Sequence, residues 1–435
     1  MRTSHRTILW AFLLASLLSA QKKAEPFSPS TYVNKHLPSW LQVGGENRTR
    51  FEGFSGLGFA PNQSDGYWLS RSRLSVTLIP VAWLHVYVEG QDARAIGKQP
   101  GQPPFENVWD IHQAYVELGN LQKSRFALLV GRQEMNFGDN RLIGAVNWTN
   151  ANRTFDVVRG VVRLAGNRID VFSASVVVNV NDTWDHHQQG NNIHGIYGEF
   201  PKLIPHVNIQ PYVMWRVQPR IRNEAGVVSN LNEKIPGIRI AGDLPRNLDY
   251  KIEMTRQFGS LGSDRVQAWL GHWEMGRTWK KLPFSPRLWG EYNYMSGDKN
   301  AKDGIRGTYD PLYPTVHDKY GFADQFGGRN MKNLRWGVET KLPRGIAGTL
   351  EFNDWRLASA VDGIYTGAGA VIARSPTGKA GTHVGNEVDW ITTWKMKGPV
   401  QAGAGIGYII PGGFLKNTTP GKSYLYPYIV FTYKL

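Results

Sequence analysis

The chain contains no cysteine in 435 residues. That excludes a small disulfide-stapled secreted module, and also a lipid anchor attached through a thiol. Long hydrophobic runs are equally scarce. Beyond the first twenty residues no apolar stretch approaches the roughly 18 to 20 residues that a transmembrane helix needs, so a helical membrane protein is out. Helix signals are rare as well, because capping residues ahead of a 3.6-residue apolar pattern are hard to find anywhere. No G-x-S-x-G elbow occurs, and the eleven histidines do not combine with a serine and an acid into a nucleophilic arrangement. Aliphatic core formers are also limited. Only 41% of residues are hydrophobic, while 16 Trp, 18 Tyr and 18 Phe raise the aromatic share to 12%, so the rings must serve some purpose besides filling a core.

What is present starts with MRTSHRTILWAFLLASLLSA, where Arg2 and Arg6 precede the apolar run Ile8 to Leu18 and then Ser19 and Ala20. This layout predicts a secretory signal peptide over 1–20, cleaved near Ala20, with 21–38 as a periplasmic lead-in. Export removes the protein from nucleic acid. The net charge of +15, spread along the chain, is then a field of the folded body.

Read in steps of two, the sequence sorts into an apolar and a polar face. Leu41, Val43 and Phe51 alternate with Gln42, Glu46, Arg48, Arg50 and Glu52. Leu248, Tyr250, Ile252 and Met254 alternate with Asp249, Lys251, Glu253 and Thr255. This is the period of a strand between two environments. About eighteen such segments of roughly nine to eleven residues follow one another, separated alternately by short turns and long polar loops. A soluble sandwich would also alternate, but its inner faces would meet in a dry core, and burying this many charges would cost several kcal/mol each. The expected fold is therefore all-β: a single antiparallel transmembrane barrel over 39–435, with long extracellular loops, aromatic girdles at both interfaces and a polar face lining enclosed water. The closing YLYPYIVFTYKL, with Ile429, Phe431, Tyr433 and Leu435 on one face, ends the chain on a strand.

In such a barrel, chemistry belongs to lumen-facing side chains and to any loop folded inward. Arg48, Arg50, Arg71 and Arg73 share the polar phase of the first two strands and Arg335 that of a later one, and Arg94 and Arg141 are counted with them. Such a ladder makes a positive track for carboxylates or phosphates. The same arginines could instead pair with lumen carboxylates Glu46, Glu89, Glu117, Glu291 and Glu339. GRQEMNFGDNRLIGAVNWTNANRTFD (131–156) is expected as a constriction loop packed on the lumen wall. Arg132 is counted in the lumen path although strict alternation puts it with Phe126, Leu128 and Val130 on the lipid side, so a bulge at Gly131 or the end of the strand there is required. His186, His187 and His194 with Asp182 and Asp185 lack the spacing of a metal site and read as a solvated loop. The small residues of AGAGIG (402–407) read as strand, not as a phosphate cradle. Carboxylates such as Glu351 and Asp354 could in principle form a glycosidase pair, which spacing in sequence alone does not support. No catalytic residue, metal or cofactor is expected.

Several motifs resemble the alginate-export porin family: DIHQAYVEL (110–118), GRQEMNFGDNRLIGAVNW (131–148), NRTFDVVR (152–159), EYNYMSGD (291–298), YDPLYPTVHDKYGFADQFGGRN (309–330) and GNEVDW (385–390). The resemblance spans nearly the whole mature chain. It implies an 18-stranded monomeric barrel in the bacterial outer membrane whose arginine-lined constriction passes an anionic polyuronate, with an external loop and a periplasmic plug turn covering it. Its partners would be outer-membrane lipid, the anionic polysaccharide or a small anionic solute, and a periplasmic export apparatus. Tyr87, Tyr115 and Trp289 are candidates for stacking on sugar faces. The alternatives are an uptake porin for small anions, an outer-membrane hydrolase, or a secreted soluble protein that binds polysaccharide.

Overall fold

A computed structural model describes residues 28–98, 105–181 and 183–435. The expected signal peptide, the first part of the lead-in and Asp182 lie outside the described residues. None of the helices among the described residues is long and apolar enough to cross a membrane.

Eighteen antiparallel strands form a closed wall. They are β1 (Leu41–Ser55), β2 (Ser64–Val81), β3 (Leu84–Ile96), β4 (Asn107–Leu118), β5 (Phe126–Gln133), β6 (Phe155–Leu164), β7 (Asn167–Val178), β8 (His186–Ile204) and β9 (Val207–Arg222). The second half comprises β10 (Val228–Leu244), β11 (Leu248–Leu261), β12 (Asp264–Thr278), β13 (Arg287–Met295), β14 (Met331–Leu342), β15 (Ile346–Leu357), β16 (His383–Lys395), β17 (Val400–Pro411) and β18 (Tyr424–Lys434). Each strand pairs with its neighbour in sequence, and β18 returns to pair with β1. A two-residue strand, Ile305–Arg306, joins β12 from within a loop, and a small hairpin, Gly363–Tyr365 with Val371–Arg374, stands apart from the wall.

The two ends of the barrel differ. At one end the connections are tight, and Pro-Arg-Asn and Pro-Arg-Gly turns place Arg246 and Arg344 at φ 67° and 63°. Gly345 there has φ +81°, and a Cβ on it would stand 2.5 Å from the Lys395 carbonyl oxygen, so only glycine fits. At the other end the connections include 134–154, 296–330 and 358–382. Strands are longer than the sequence suggested: β8 has 19 residues, about 60 Å at roughly 3.3 Å per residue, so the wall rises beyond any hydrocarbon layer. Helices also exist where none was expected. In α1 (Pro29–His36) Ser28 caps the Thr31 amide at 3.3 Å and proline occupies the first turn. The other, α2 (Gly413–Thr418), lies between β17 and β18.

The seam shows how the free edge of β1 is covered. The Leu435 amide donates to the Gly45 carbonyl at 2.9 Å, where the last strand runs out. The next register position is taken by Asn34 of α1, whose side chain accepts from the Val43 amide and donates to its carbonyl, both at 2.8 Å. A side-chain amide thus stands in for a strand residue and satisfies backbone groups that would otherwise lack partners.

The two-residue period sorts side chains as expected. Leu74, Val213, Leu350 and Trp336 are exposed on the outside, whereas Arg48, Arg71, Glu291, Arg335 and Glu351 are buried inside. The interior is not open water throughout. Toward the long-loop end, wall residues Phe155, Phe172, Ile193, Met214 and Trp355 form one apolar cluster with loop residues Met135, Phe137, Ile143, Tyr309, Tyr313 and Phe326. Among the described residues the segments folded inward come from the long-loop end, and the connections at the short-turn end are too short to supply the plug implied by the family resemblance.

Candidate functional site

Two inward loops meet inside the barrel. The first, 134–154, runs between β5 and β6, and the second, 296–330, between β13 and β14. They pair with each other. Gly144 donates to the Tyr313 carbonyl and Tyr313 to the Leu142 carbonyl, both at 2.9 Å, and Thr315 donates to Asn140 at 2.9 Å. Gly144 is required there, since a Cβ would lie 2.3 Å from Thr315 Oγ1.

The wall beneath the first loop is built from arginine. Cross-strand register places Arg48 opposite Arg71 and Glu46 opposite Arg73, with Arg50 one step on. Like charges facing each other repel, so these cations need acceptors, and the loop brings them. A turn at Val146 (φ 57°), closed by Thr149 N–H to the Val146 carbonyl at 3.0 Å, aims successive carbonyls at the wall. Arg48 donates to the carbonyls of Asn147 (2.5 Å), Thr149 (2.8 Å) and Trp148 (3.3 Å). Arg50 donates to Trp148 O at 2.5 Å and lies 4.0 Å over the Trp148 ring. Arg71 reaches Asn152 Oδ1 and Glu46, both at 2.6 Å. Arg73 takes Gln91 at 2.8 Å and Glu134 at 3.4 Å. The far face of Trp148 stacks on His317 of the second loop, with centroids 3.9 Å apart and planes within 2°. His317 Nδ1 lies 2.8 Å from Asp324. Arg48, only 7% exposed, has no carboxylate within ion-pairing distance among the described residues.

Across the lumen the same chemistry is arranged differently. Arg335 bridges Glu291 (3.2 Å) and Glu351 (2.9 Å), and Arg141 of the first loop reaches Glu291 at 3.0 Å and Asp139 at 3.3 Å. Arg287 holds Asp249, Glu274 and Glu339 at 2.5, 2.7 and 3.2 Å. Here each cation is neutralised by acids. The second loop is anchored likewise: Asp310 lies 3.0 Å from Arg216 of β9 and 3.1 Å from Arg329.

Cavities lie on both sides of the paired loops. One, of about 240 Å³, is lined by Arg50, Glu52, Trp148, His317, Asp324 and Tyr426 toward the long-loop end. The other, of about 400 Å³, lies toward the short-turn end among Asp139, Arg141, Lys251, Arg287, Lys319 and Arg335.

The sequence-predicted residues fall into three groups. Arg48, Arg50, Arg71, Arg73, Arg141 and Arg335 lie on the lumen or its loops, as do Glu46, Glu89, Glu117, Glu291 and Glu339. Glu89 accepts from Tyr87 (2.8 Å) and Gln113 (3.2 Å), while Glu117 caps the Leu121 amide at 2.7 Å. Two arginines do not belong to the lumen. Arg94 is in the outward phase of β3 beside Val88 and Ile96, paired with Asp92 at 2.8 Å. Arg132 keeps the outward phase of β5 and pairs with Asp156 of β6 at 2.9 Å. Register runs unbroken through Gly131, so no bulge turns Arg132 inward. The carboxylates considered for hydrolysis are also separated, since Glu351 is buried on the inner face of β15 while Asp354 belongs to its outer phase. His186 and His187 are exposed and His194 hydrogen-bonds Ser173 at 2.9 Å, so the histidines do not converge. Tyr87 and Tyr115 stack at 5.0 Å, and Trp289 lies under Arg335 at 5.2 Å. The AGAGIG run is strand β17. A Cβ at Gly405 would sit 2.6 Å from Tyr428, and one at Gly407 would sit 2.7 Å from Asp389.

Sequence reasoning missed Arg216 with Asp310, the Arg153 side chain that ties both loops through the carbonyls of Gly144 (3.2 Å) and Pro314 (3.1 Å), and the Arg50–Trp148–His317 stack. The single Trp148 within a polar loop and the two prolines Pro311 and Pro314 were the available signal.

A barrel wall with loops folded into its lumen is common to many channels, and what decides the lineage is a match of residues 39–426 to the family model for alginate export. The chain belongs to the alginate export family. Among solved structures it is similar to OpdK from Pseudomonas aeruginosa (10% identity, TM-score 0.61, covering 91% of this chain and 98% of that one). It is also similar to OccK3 (OpdO) from the same organism (11%, 0.58, 90% and 95%) and to OccAB4 from Acinetobacter baumannii (9%, 0.59, 90% and 98%). At such identities the likeness is one of fold. No curated protein matches the sequence. The protein is thus a bacterial outer-membrane β-barrel channel, with the short-turn end periplasmic and the long-loop end extracellular.

Proposed function

We propose that this channel passes an anionic saccharide, with a uronate polymer as the substrate class. The observation that carries the reading is Arg48: a buried lumen guanidinium whose two terminal nitrogens donate to three neutral carbonyls and, among the described residues, to no carboxylate. A carboxylate offers a guanidinium opposite charge and a bidentate pair of acceptors, neither of which a neutral carbonyl supplies. A passing carboxylate can therefore displace the loop carbonyls from Arg48, and then from Arg50 and Arg71, one step at a time. Weak, repeated sites suit a polymer that must keep moving.

The test is ion selectivity in a planar bilayer. The purified barrel should give a reversal potential favouring anions in a salt gradient, and Arg48→Gln should shift it toward zero. Soluble oligouronate should block the current, whereas acetate at equal charge should not. Cation preference in the unaltered protein would overturn the reading. A second reading, uptake of small carboxylates, has support of its own: one of the structural neighbours is OpdK with vanillate, and the cavity above the loops is small. Block by acetate as strong as that by oligouronate would favour it.

A further inference from the structure

Two basic groups on the outer surface differ in a way the lumen does not explain. On one side, the outward cations Arg94 and Arg132 are each paired with a carboxylate on the same face. On the other, Lys234 of β10, Arg256 of β11, Arg265 of β12 and Lys332 of β14 are in the outward phase near the extracellular ends of their strands, with no ion pair or hydrogen bond to their side-chain nitrogens among the described residues. The outward positions of β10 to β14 contain no aspartate or glutamate at all. Lys332 is moreover the direct cross-strand partner of Arg356, a like-charged pair that, among the described residues, only Asp354, 3.1 Å from Arg356, offsets. Like charges in that position are destabilising unless an anion lies between them.

The cations are interleaved with rings. Lys234 faces Phe258, Arg256 faces Trp269 and Lys332 faces Tyr294 across their strand pairs, and Trp269 stacks on Tyr294 at 4.2 Å. Immediately below lie exposed apolar side chains, Met254, Leu334 and Trp336. Apolar band, aromatic row, then unpaired cations is the sequence of environments met on leaving a membrane through its headgroup layer.

We infer that this face of the barrel binds a phosphorylated glycolipid of the outer leaflet, with the phosphates on its saccharide headgroup bridging Arg256 and Lys234 on one side and meeting Lys332 on the other. Arginine grips phosphate through paired N–H donors and lysine as a point charge. Strands about 4.8 Å apart set the cations at a spacing two headgroup phosphates can span. The surface is separate from the lumen, so it serves anchoring and orientation rather than transport.

The test uses the folded full barrel in detergent, titrated with bisphosphorylated lipid A and followed by native mass spectrometry. A triple variant, Lys234→Gln with Arg256→Gln and Lys332→Gln, is expected to lose about a hundredfold in affinity, at roughly one surface-charge contribution per cation. Lipid A stripped of its phosphates should bind the unaltered barrel as weakly as the variant binds the intact lipid. Arg94→Gln, in the ion-paired group, should bind as the unaltered protein does. Should the triple variant fail to fold, Arg256→Gln alone is expected to lose about fivefold. Undiminished binding by these variants, equal binding of the dephosphorylated lipid, or full displacement by millimolar inorganic phosphate would each overturn the inference.

Discussion

The β1–β2 wall and the β13–β15 wall carry the same residue types for different ends. On β13–β15, Arg335 lies between Glu291 and Glu351, with Arg141 adding a further contact to Glu291, so charge is cancelled and the lattice is rigid. On β1–β2, Arg48 instead holds the carbonyls of residues 147–149, which fix a loop without cancelling its charge, while its neighbour Arg50 shares the Trp148 carbonyl and pairs with Glu52 at 2.7 Å. The comparison teaches that an arginine in the lumen phase is not by itself a substrate contact. What matters is whether its present acceptor is one an anion can replace. A carboxylate held in place by two arginines is hard to displace, whereas a neutral carbonyl is not.

The largest expected effect comes from breaking the cancelled lattice. Arg335→Ala leaves Glu291 and Glu351 buried without their shared cation and should cost about 3–5 kcal/mol, read as a lower urea midpoint for unfolding from lipid vesicles; a midpoint unchanged from the parent would show that the acids are solvated and the two walls alike. A smaller effect is expected on the other wall. Trp148→Ala removes the ring between Arg50 and His317 but leaves the backbone carbonyls, so stability should fall by about 1–2 kcal/mol. Hydrogen exchange should meanwhile speed up in 142–150 and not in 331–342. Equal exchange in both segments would dissolve the distinction between a replaceable and a fixed partner.

The smallest effect concerns pH at the extracellular rim, away from both walls. The Asp185 carboxyl, in the loop between β7 and β8, is pushed up to about 6, first by burial and then by the charge of nearby Asp110. The folded protein therefore holds a proton there that the unfolded chain, with an ordinary aspartate, has already released. Stability contributed by that proton is complete at low pH and is lost as pH rises from about 4 through 6. Protease nicking of 179–185 should be slower at pH 5 than at pH 7. Asp185→Asn, which hydrogen-bonds without charge, should remove the difference, and a difference that persists would place its origin elsewhere.

Strand number, the sorting of faces and the closing strand were legible in the sequence because a two-residue period maps directly onto inside and outside. The same rule placed Arg48, Arg50, Arg71, Arg73 and Arg335 inward. It also placed Arg132 outward, and the invoked bulge at Gly131 was the error, since Asp156 across the pair supplies the counter-charge that makes an outward arginine tolerable. Arg94, counted with the lumen arginines, also keeps its outward phase, its partner Asp92 lying two residues away on the same face. Nothing periodic marks what the loops touch. That Asn147–Thr149 cover Arg48, or that Asp310 meets Arg216, depends on contacts roughly a hundred residues apart in sequence.

By itself the sequence determined the alternation, and with it the barrel, its membrane and its two surfaces, because each strand residue reports its own environment locally. Only the tertiary structure decided which cations meet acids, which meet loop carbonyls and which meet no acceptor among the described residues. That allocation is a matter of distance between segments far apart in the chain, and charge interactions are fixed by distance, not by order in sequence.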